Sequence, residues 1–303
     1  MPSAGERRWL LASHLGVTTR CATAGRWHWL AFLLRIRTVS RVDNVPKQEI
    51  SGSITRVSAD VSVVRFDTRE WPDEQLDALF AEGFPQFILA DQDAKSLIGS
   101  VRDSFAALDI ALVDAGEVPV AAGWGVPICW DGDVTDLPSG YTDSLRRAVD
   151  LRAEGGQPDT LVICAGVVHP EHKGTGMATN LIRALADLAE REELSKVIAP
   201  LRPTHKHRYP LTDIDDYAAW TRPDGLPFDP WLRLHVRMGA RILTVAPRSQ
   251  TMTGTVAEWE TWTEMAFPAS GNYVIPDGVS LLRIDREQDH GVYVEPNVWV
   301  QHR

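Results

Sequence analysis

Apolar positions along the chain follow two spacings, one typical of strands and one of helices. Consecutive or alternating apolar residues predict short strands at 61–66, 109–114, 119–130 and 196–200, and the most apolar strand at 160–168. Apolar residues three or four positions apart predict helices at about 71–80, 92–105, 142–153, 176–193, 229–238 and 255–265. Further β-like runs lie at 240–246, 279–284 and 291–300. This order predicts a mixed α/β architecture with one dominant sheet.

Charge divides the chain into a small basic part and a large acidic one. The 303 residues include 31 Lys and Arg and 41 Asp and Glu. Residues 1–50 contain eight of the basic residues and three of the acidic ones, so the net charge is +5 there and −15 in the rest. Polar residues 43–58 predict a linker, and residues 1–58 are expected to form a basic, flexible leader or an over-long start. An acidic body argues against nucleic-acid binding, because phosphates must be neutralised by cations.

The cysteines and the apolar runs indicate the compartment. Cys21, Cys129 and Cys164 are far apart and in no CxxC spacing, which is typical of a reducing cytoplasm. No apolar run approaches 18 residues, so no transmembrane helix is expected. Arg7 and Arg8 precede an apolar stretch as in an export signal, but polar residues interrupt that stretch, so export is not predicted.

The segment between strand 160–168 and the next helix is the strongest indication of chemistry. From Val167 to Ala178 it reads VVHPEHKGTGMA: the end of a strand, a proline, a glycine-rich turn and the start of a helix. Glycines allow backbone N–H groups to approach an anion, and a helix N-terminus adds partial positive charge. The segment matches neither GxxxxGK[ST] nor the dinucleotide fingerprint GxGxxG. It predicts a phosphate or pyrophosphate site, with a turn that binds nothing as the alternative.

Two segments resemble motifs of the GNAT (GCN5-related) N-acetyltransferases. KGTGMA, from Lys173 to Ala178, resembles the pattern [Q/R]-x-x-G-x-[G/A], with lysine at the first position. WLRLHVRMGA, at 231–240, is similar to the family's A-x-x-L-Y-x-x-x-G-F, and His235 stands where the family has tyrosine. The αα-β-β order before the first motif agrees with the family core, and the resemblance spans about 61–246.

The resemblance implies an α/β fold of the GNAT type, with a mixed, mostly antiparallel central sheet flanked by helices. One domain is expected over 59–303. Insertions at 131–158 and 201–228 and a C-terminal, β-containing extension at 247–303 would decorate it.

The resemblance also implies an activity and a co-substrate. The chain is expected to be a CoA-dependent N-acyltransferase, and more narrowly an N-acetyltransferase, in which the amine of a small molecule attacks the thioester directly. Acetyl-CoA or another acyl-CoA is the expected co-substrate, without a metal. Its pantetheine arm would pair with the backbone of Val167 and Val168. Its pyrophosphate would lie on the loop, formed by Lys173, Gly174, Thr175, Gly176, Met177 and Ala178.

The catalytic acid implied by the resemblance is His235. An imidazolium there could donate a proton to the leaving thiolate, at lower pH than a phenol would. The alternative is that His235 only packs or forms hydrogen bonds on its helix.

The general base must come from elsewhere, because strand 160–168 contains no carboxylate. The loop after strand 196–200 leaves the carboxyl end of a strand, a common place for active groups. His205 is the expected base, with His207 as the alternative, and Arg202 or Arg208 could hold an acceptor carboxylate. These residues could equally form a solvated surface opposite nearby aspartates.

For one cysteine and four tryptophans, a structural role is expected rather than a functional one. Cys164 is expected to be an inert buried thiol rather than a nucleophile. Four tryptophans could line an acceptor or acyl pocket, but tryptophans in such a pattern are more often part of the core. They are Trp220, Trp231, Trp259 and Trp262.

Two rival functions remain. One is a GNAT-fold enzyme of other chemistry, such as O-acylation, a larger acyl donor or thioester decarboxylation. The other is a non-catalytic acyl-CoA-binding sensor. The acidic body favours a cationic amine as acceptor, whereas the basic loop at 202–208 favours an acceptor that carries a carboxylate. A homodimer is also possible.

Overall fold

The computed structural model describes residues 55–58, 61–68, 71–80 and 83–303, and the predicted leader up to residue 54 lies outside them. Ten strands in these residues form one sheet. They are β1 (Thr55–Ser58), β2 (Val61–Arg65), β3 (Asp109–Val113), β4 (Pro119–Ile128), β5 (Thr160–Val168), β6 (Lys196–Leu201), β7 (Arg241–Gly254), β8 (Gly271–Tyr273), β9 (Leu282–Asp285) and β10 (His290–Gln301).

Seven α-helices in the same residues cover the sheet. They are α1 (Asp73–Phe80), α2 (Gln92–Phe105), α3 (Tyr141–Glu154), α4 (Met177–Arg191), α5 (Ile214–Ala219), α6 (Pro230–Arg237) and α7 (Val256–Thr263). Their apolar faces explain where they pack. In α4, for example, Leu181, Leu185 and Leu188 recur at helical spacing and are all buried.

The sheet is mixed and mostly antiparallel, as predicted. Its order is β1-β2-β3-β4-β5-β6-β10-β9-β8, with β7 paired to β10. Of the pairs within it, β5–β6 is parallel and the others are antiparallel. One core cluster joins α1, α2 and α3 to one face through Leu79, Val101 and Leu145, and another contains Leu181 and Leu185 of α4. The predicted fold class is therefore confirmed.

The C-terminal residues are more central than expected. The predicted boundary at 247 falls inside β7, which has 14 residues rather than the seven predicted at 240–246. Strand β10 pairs with β7 along its length and with β6 at its end, so it completes the main sheet instead of extending it. Residues 55–58, expected as linker, form edge strand β1, and the irregular stretch 201–228 contains α5.

The sheet opens between β5 and β6. Their parallel pairing covers only Thr160 to Val162 opposite Lys196 to Ile198. Beyond this point β5 remains paired with β4 alone, up to Val168, so residues 163–168 have no strand on the β6 side. Trp124 and Gly125 of β4 face residues 165 and 163, which makes Cys164 the extra residue of a β-bulge. Bulges often occur next to active sites, because they redirect the strand locally.

Candidate active site

A cavity of about 510 Å³ is lined by residues from both faces of the sheet around this opening. Lys173, Ala178 and Leu181 belong to the glycine-rich loop and α4. On the other face, α2, β3, β4 and α3 contribute Arg102, Asp109, Trp124 and Tyr141. Residues Arg202, His235 and Glu295 also line the cavity. One continuous space thus connects the predicted phosphate loop with a polar chamber behind the sheet.

The glycine-rich loop has the geometry of an anion site. His169 Nδ1 accepts the backbone N–H of Glu171 at 3.3 Å and so shapes the turn after β5. Gly174 and Gly176 have φ of +79° and +91°, a region that residues with a side chain rarely adopt. Gly176 caps α4 with no side-chain hydrogen bond, so the first N–H groups of the helix are available to an anion.

The residues predicted to bind CoA fall into two groups. Val167, Val168, Lys173 and Ala178 line the cavity. The other four form the turn and the first helical position, and they are Gly174, Thr175, Gly176 and Met177. The backbone of residues 163–168, unpaired toward β6, provides the strand edge that a pantetheine arm requires. The loop and this edge fit the co-substrate that the resemblance implies.

His235 lies at the cavity on α6 and is only 1% exposed. Its Nδ1 is 2.7 Å from Nε2 of His302, and its ring meets Trp231 edge-on at 4.5 Å. Burial, together with the electrostatic influence of the neighbouring His302, lowers the pKa of His235 to about 3. The resting ring is therefore neutral, and the imidazolium expected from the sequence is not its form near pH 7. A neutral ring donates only from the one nitrogen that carries its proton.

The structure does not bring His205 to the cavity. Its backbone N–H donates to Asp229 Oδ2 at 2.8 Å, and the cavity-lining residue of this loop is its neighbour Thr204. His207 is engaged through Nδ1 with the carbonyl of Thr204 at 2.8 Å. The geometry gives a base at His205 or His207 no support, because a base must reach the proton that it removes.

Arg202 lines the cavity in a hydrogen-bonded cluster. Its Nε donates to Glu295 Oε1 at 2.7 Å, and its Nη2 donates to the carbonyl of Asp277 at 2.5 Å. Tyr293 donates to the other oxygen of Glu295 at 3.1 Å. Glu295 is 1% exposed, so this is a buried, paired carboxylate. The suggested contact of Arg202 with an acceptor carboxylate would compete with that pair.

A second ion pair, which the sequence analysis missed, joins Arg102 of α2 to Asp109 at the start of β3. Arg102 Nη1 bonds Asp109 Oδ2, and the guanidinium lies over the ring of Trp124 at 4.3 Å. Asp109 is 1% exposed. Burial raises its pKa to about 6, although Arg102 opposes the rise. No motif marks the pair, since a helix–strand connection places the two side chains together.

Unsatisfied polar atoms concentrate at this cavity. In the described residues, four buried side-chain N or O atoms have no hydrogen-bond partner, and three belong to cavity-lining residues: Arg102 Nε, Asp109 Oδ1 and His235 Nε2. Buried polar groups are usually paired, and leaving one unpaired costs roughly 1–3 kcal/mol. A donor, an acceptor and a ring nitrogen left without partners around one cavity indicate a site for a polar ligand.

Cys164 and the tryptophans, for which structural roles were expected, differ in whether they line the cavity. Cys164 lines the cavity, but burial raises the pKa of its thiol well above the usual range, so it remains an unreactive thiol. Trp259 is core, packed with Phe87 and Tyr293. Trp231 instead lines the cavity, beside His235.

Comparisons with known proteins identify the family of this chain. The model of the Acetyltransferase (GNAT) family matches residues 61–211. The arginine N-acetyltransferase avaD of Aspergillus versicolor is 30% identical over 247 residues, in a match that covers 72% of this chain and 84% of the fungal protein.

Among solved structures, similarity to the loading GNATL domain of CurA from Lyngbya majuscula has a TM-score of 0.49 at 16% identity, covering 80% of this chain and 96% of that domain. For the GphF GNAT-like decarboxylase in complex with isobutyryl-CoA the TM-score is 0.42 at 18% identity, covering 76% of this chain and 93% of the other.

An opened mixed sheet with a glycine-rich loop at its opening fits the class of protein that these comparisons show, an acyl-CoA-dependent transferase. The chain belongs to the GNAT acetyltransferase family and is a CoA-dependent N-acyltransferase that uses acetyl-CoA or another acyl-CoA. Within the described residues no helix is long and apolar enough to cross a membrane. Those residues also contain no group of three or more His, Cys, Asp or Glu placed to hold a metal ion.

Proposed function

We propose that this protein transfers the acetyl group of acetyl-CoA to a nitrogen of a small acceptor that carries both a carboxylate and a cation, with arginine as the first candidate. The observation that carries the proposal is the unpaired donor and acceptor of one buried ion pair, Arg102 Nε and Asp109 Oδ1, at the cavity. A carboxylate satisfies the donor, and an ammonium or guanidinium satisfies the acceptor. The similarity to an arginine N-acetyltransferase supports the choice.

The donor side of the proposed site uses the loop and the opened strand. The N–H groups at the start of α4 and Lys173 would hold the pyrophosphate, and the free edge of Val167 and Val168 would pair with the pantetheine arm. Acetyl-CoA supplies an activated acyl group in a thioester. Because the loop and the polar chamber share one cavity, the two substrates can meet at the opening between β5 and β6.

The reaction moves three protons. The acceptor ammonium loses one before it attacks and a second as the amide forms, and the sulfur gains one as the C–S bond breaks. In the proposed site His235 donates to sulfur from Nε2, the ring nitrogen that has no partner in the protein. The ammonium loses its first proton to solvent, since the two cavity carboxylates are already paired with Arg102 and Arg202.

An acceptor panel tests the proposal. Thiol release from acetyl-CoA is measured with arginine, with agmatine, which lacks the carboxylate, and with norvaline, which lacks the side-chain cation. A charged hydrogen bond contributes about 1.5–3 kcal/mol, so kcat/KM for arginine should exceed that for either analogue by roughly 10-fold or more. Equal rates with agmatine would contradict the carboxylate contact. Equal rates with norvaline would contradict the cation contact.

The pKa of Asp109 predicts how arginine binding depends on pH. Asp109 binds a cation only when ionised, and its pKa is about 6. Affinity should therefore be constant above about pH 7 and fall as pH decreases through 6, by about tenfold at pH 5, where about one carboxylate in ten is ionised. Calorimetry with arginine and unacetylated CoA, which cannot react, measures this. An Asp109→Asn variant should show no such dependence, and an unchanged wild-type affinity between pH 5 and 7.5 would contradict the assignment.

Gly176 gives a test of the loop. Its φ of +91° disfavours any side chain, so Gly176→Ala should shift the turn and weaken acetyl-CoA binding about tenfold, with roughly 1–2 kcal/mol of strain. Gly99 in α2 is the matched control, because nothing lies within 4 Å of an added Cβ there. Gly99→Ala should leave the dissociation constant of acetyl-CoA unchanged. Equal affinities of the two variants would argue against a CoA loop at this position.

We also propose a cytoplasmic location, supported by Cys129 and Cys164, which are free thiols as expected where disulfides do not persist. Cell fractionation tests it. The homodimer stays a prediction, which sedimentation of the full chain can measure.

A further inference from the structure

A second histidine is bonded to His235 from the far end of the chain. His302 Nε2 lies 2.7 Å from His235 Nδ1, and the ring centroids are 4.9 Å apart. The backbone fixes His302 in place: its N–H donates to the carbonyl of Val197 at 2.9 Å, and the N–H of Val197 donates to that of Arg303 at 3.0 Å. The hydrogen bond between the rings is therefore held from the end of β10, where the chain lies beside β6.

The pair allows two arrangements of protons. Burial lowers the pKa of both histidines, so each ring is neutral near pH 7 and carries one N–H. In the first arrangement His302 Nε2 donates to His235 Nδ1, and the proton of His235 sits on Nε2. In the second, His235 Nδ1 donates, and its Nε2 is a bare acceptor. The partner of one ring nitrogen thus decides what the other can do.

We propose that His302 is a positioning residue that donates from Nε2 to His235 and thereby keeps the proton of His235 on Nε2, where it can reach the leaving sulfur. The inference rests on the proposed function, which gives His235 the role of proton donor. It also explains why His235 can act without becoming an imidazolium first. The two histidines are far apart in the sequence, with 67 positions between His235 and His302.

The proton balance closes through the pair. As the C–S bond breaks, the Nε2 proton of His235 passes to the thiolate, and the Nε2 proton of His302 passes to His235 Nδ1. His302 Nδ1 takes a proton from solvent, which the half-buried ring can reach, so neither ring is left charged. The acceptor ammonium gives one proton to solvent before it attacks, and its nitrogen gives a second proton to His235 Nε2 as the amide forms. The Nδ1 proton of His235 then returns to His302 Nε2 and the Nδ1 proton of His302 returns to solvent. These transfers restore the first arrangement, and one proton is released per turnover.

Two substitutions separate positioning from mere packing. His302→Gln keeps an N–H donor near the place of Nε2, whereas His302→Phe fills the space and removes it. We expect kcat to fall about 10- to 100-fold in His302→Phe, within the range of general acid catalysis, with KM for acetyl-CoA unchanged within about twofold. His302→Gln should retain most of kcat. Full kcat in His302→Phe, or an equal loss in both variants, would overturn the proposal.

Nitrogen NMR of the full chain with labelled histidine reads the tautomer directly and needs no substrate. The expected result is a protonated Nε2 and an unprotonated Nδ1 on His235 in the wild type and in His302→Gln, and a mixture in His302→Phe. A protonated Nδ1 on wild-type His235 would overturn the proposal even if kinetics agreed. A protein that acetylates no amine would instead refute the proposed function, while the NMR result would still decide the tautomer.

Discussion

Replacing Asp109 by asparagine is expected to raise KM for arginine about 30- to 100-fold, because the variant loses the buried charge that pairs with the acceptor cation, an interaction of roughly 2–3 kcal/mol. Asparagine has nearly the same shape, so the cavity should persist. The dissociation constant of acetyl-CoA should stay within about twofold, since Asp109 lies on the opposite face of the sheet from the loop. Steady-state kinetics with each substrate varied in turn measure both effects.

Two further variants control this experiment. Asp103 lies one residue from Arg102 in α2 and is exposed, so Asp103→Asn should leave both constants unchanged. Arg102→Gln removes the carboxylate contact and should abolish the preference for arginine over agmatine. If Asp109→Asn bound arginine as tightly as the wild type, the acceptor would have to lie elsewhere in the cavity.

Removing the imidazole of His235 should produce the second large effect. His235→Gln is expected to lower kcat about 100- to 1,000-fold, since a positioned general acid contributes roughly 10²–10⁴. KM for arginine should change little, because the anchoring atoms belong to Arg102 and Asp109. Stopped-flow measurement of thiol release during a single turnover isolates the chemical step.

Two other histidines serve as controls for the His235→Gln variant. His290 is exposed at the start of β10, and His290→Ala should have wild-type kcat. His205→Ala decides the base predicted from sequence: the structure keeps His205 off the cavity, so kcat should remain within about threefold. A loss of 100-fold in His205→Ala with none in His235→Gln would reverse the two assignments.

The helices and the glycine-rich loop were predictable because their signals are local. Helix α2 was predicted at 92–105 and is found at Gln92–Phe105, and β5 coincides with its prediction at 160–168. Both carry an uninterrupted apolar pattern that packing reinforces. The second half of β7 was missed because Pro247 has no backbone N–H to donate to a ladder and because Arg248 and Gln250 are polar, although this part of the strand is paired with β10.

The polar chamber could not be predicted from sequence, because its contacts join distant segments. The Arg102–Asp109 pair depends on how α2 turns into β3, and the His235–His302 contact joins α6 to the residue that follows β10, 67 positions later. His205 looked suitable because it follows a strand end, but the loop turns it toward Asp229. Residue type and spacing predicted a phosphate site at the glycine-rich loop, whereas the proposed acceptor site required the three-dimensional arrangement of buried charges.

The rival functions make different predictions about the same cavity. A sensor would bind acetyl-CoA and release no thiol with any amine. A decarboxylase would release carbon dioxide from an acyl-CoA that carries a free carboxylate, and would need no amine at all. An O-acyltransferase would give an ester, which hydroxylamine cleaves. Each outcome differs from transfer to nitrogen in a measurable product.

The most direct test of the account is the product formed by the full chain from acetyl-CoA and arginine. Mass spectrometry should find one arginine carrying a single acetyl group on nitrogen for each thiol released, and the product should resist hydroxylamine. Thiol release without an acetylated arginine, or tight binding of acetyl-CoA with no thiol release across the amine panel, would contradict N-acetyl transfer to arginine in this cavity.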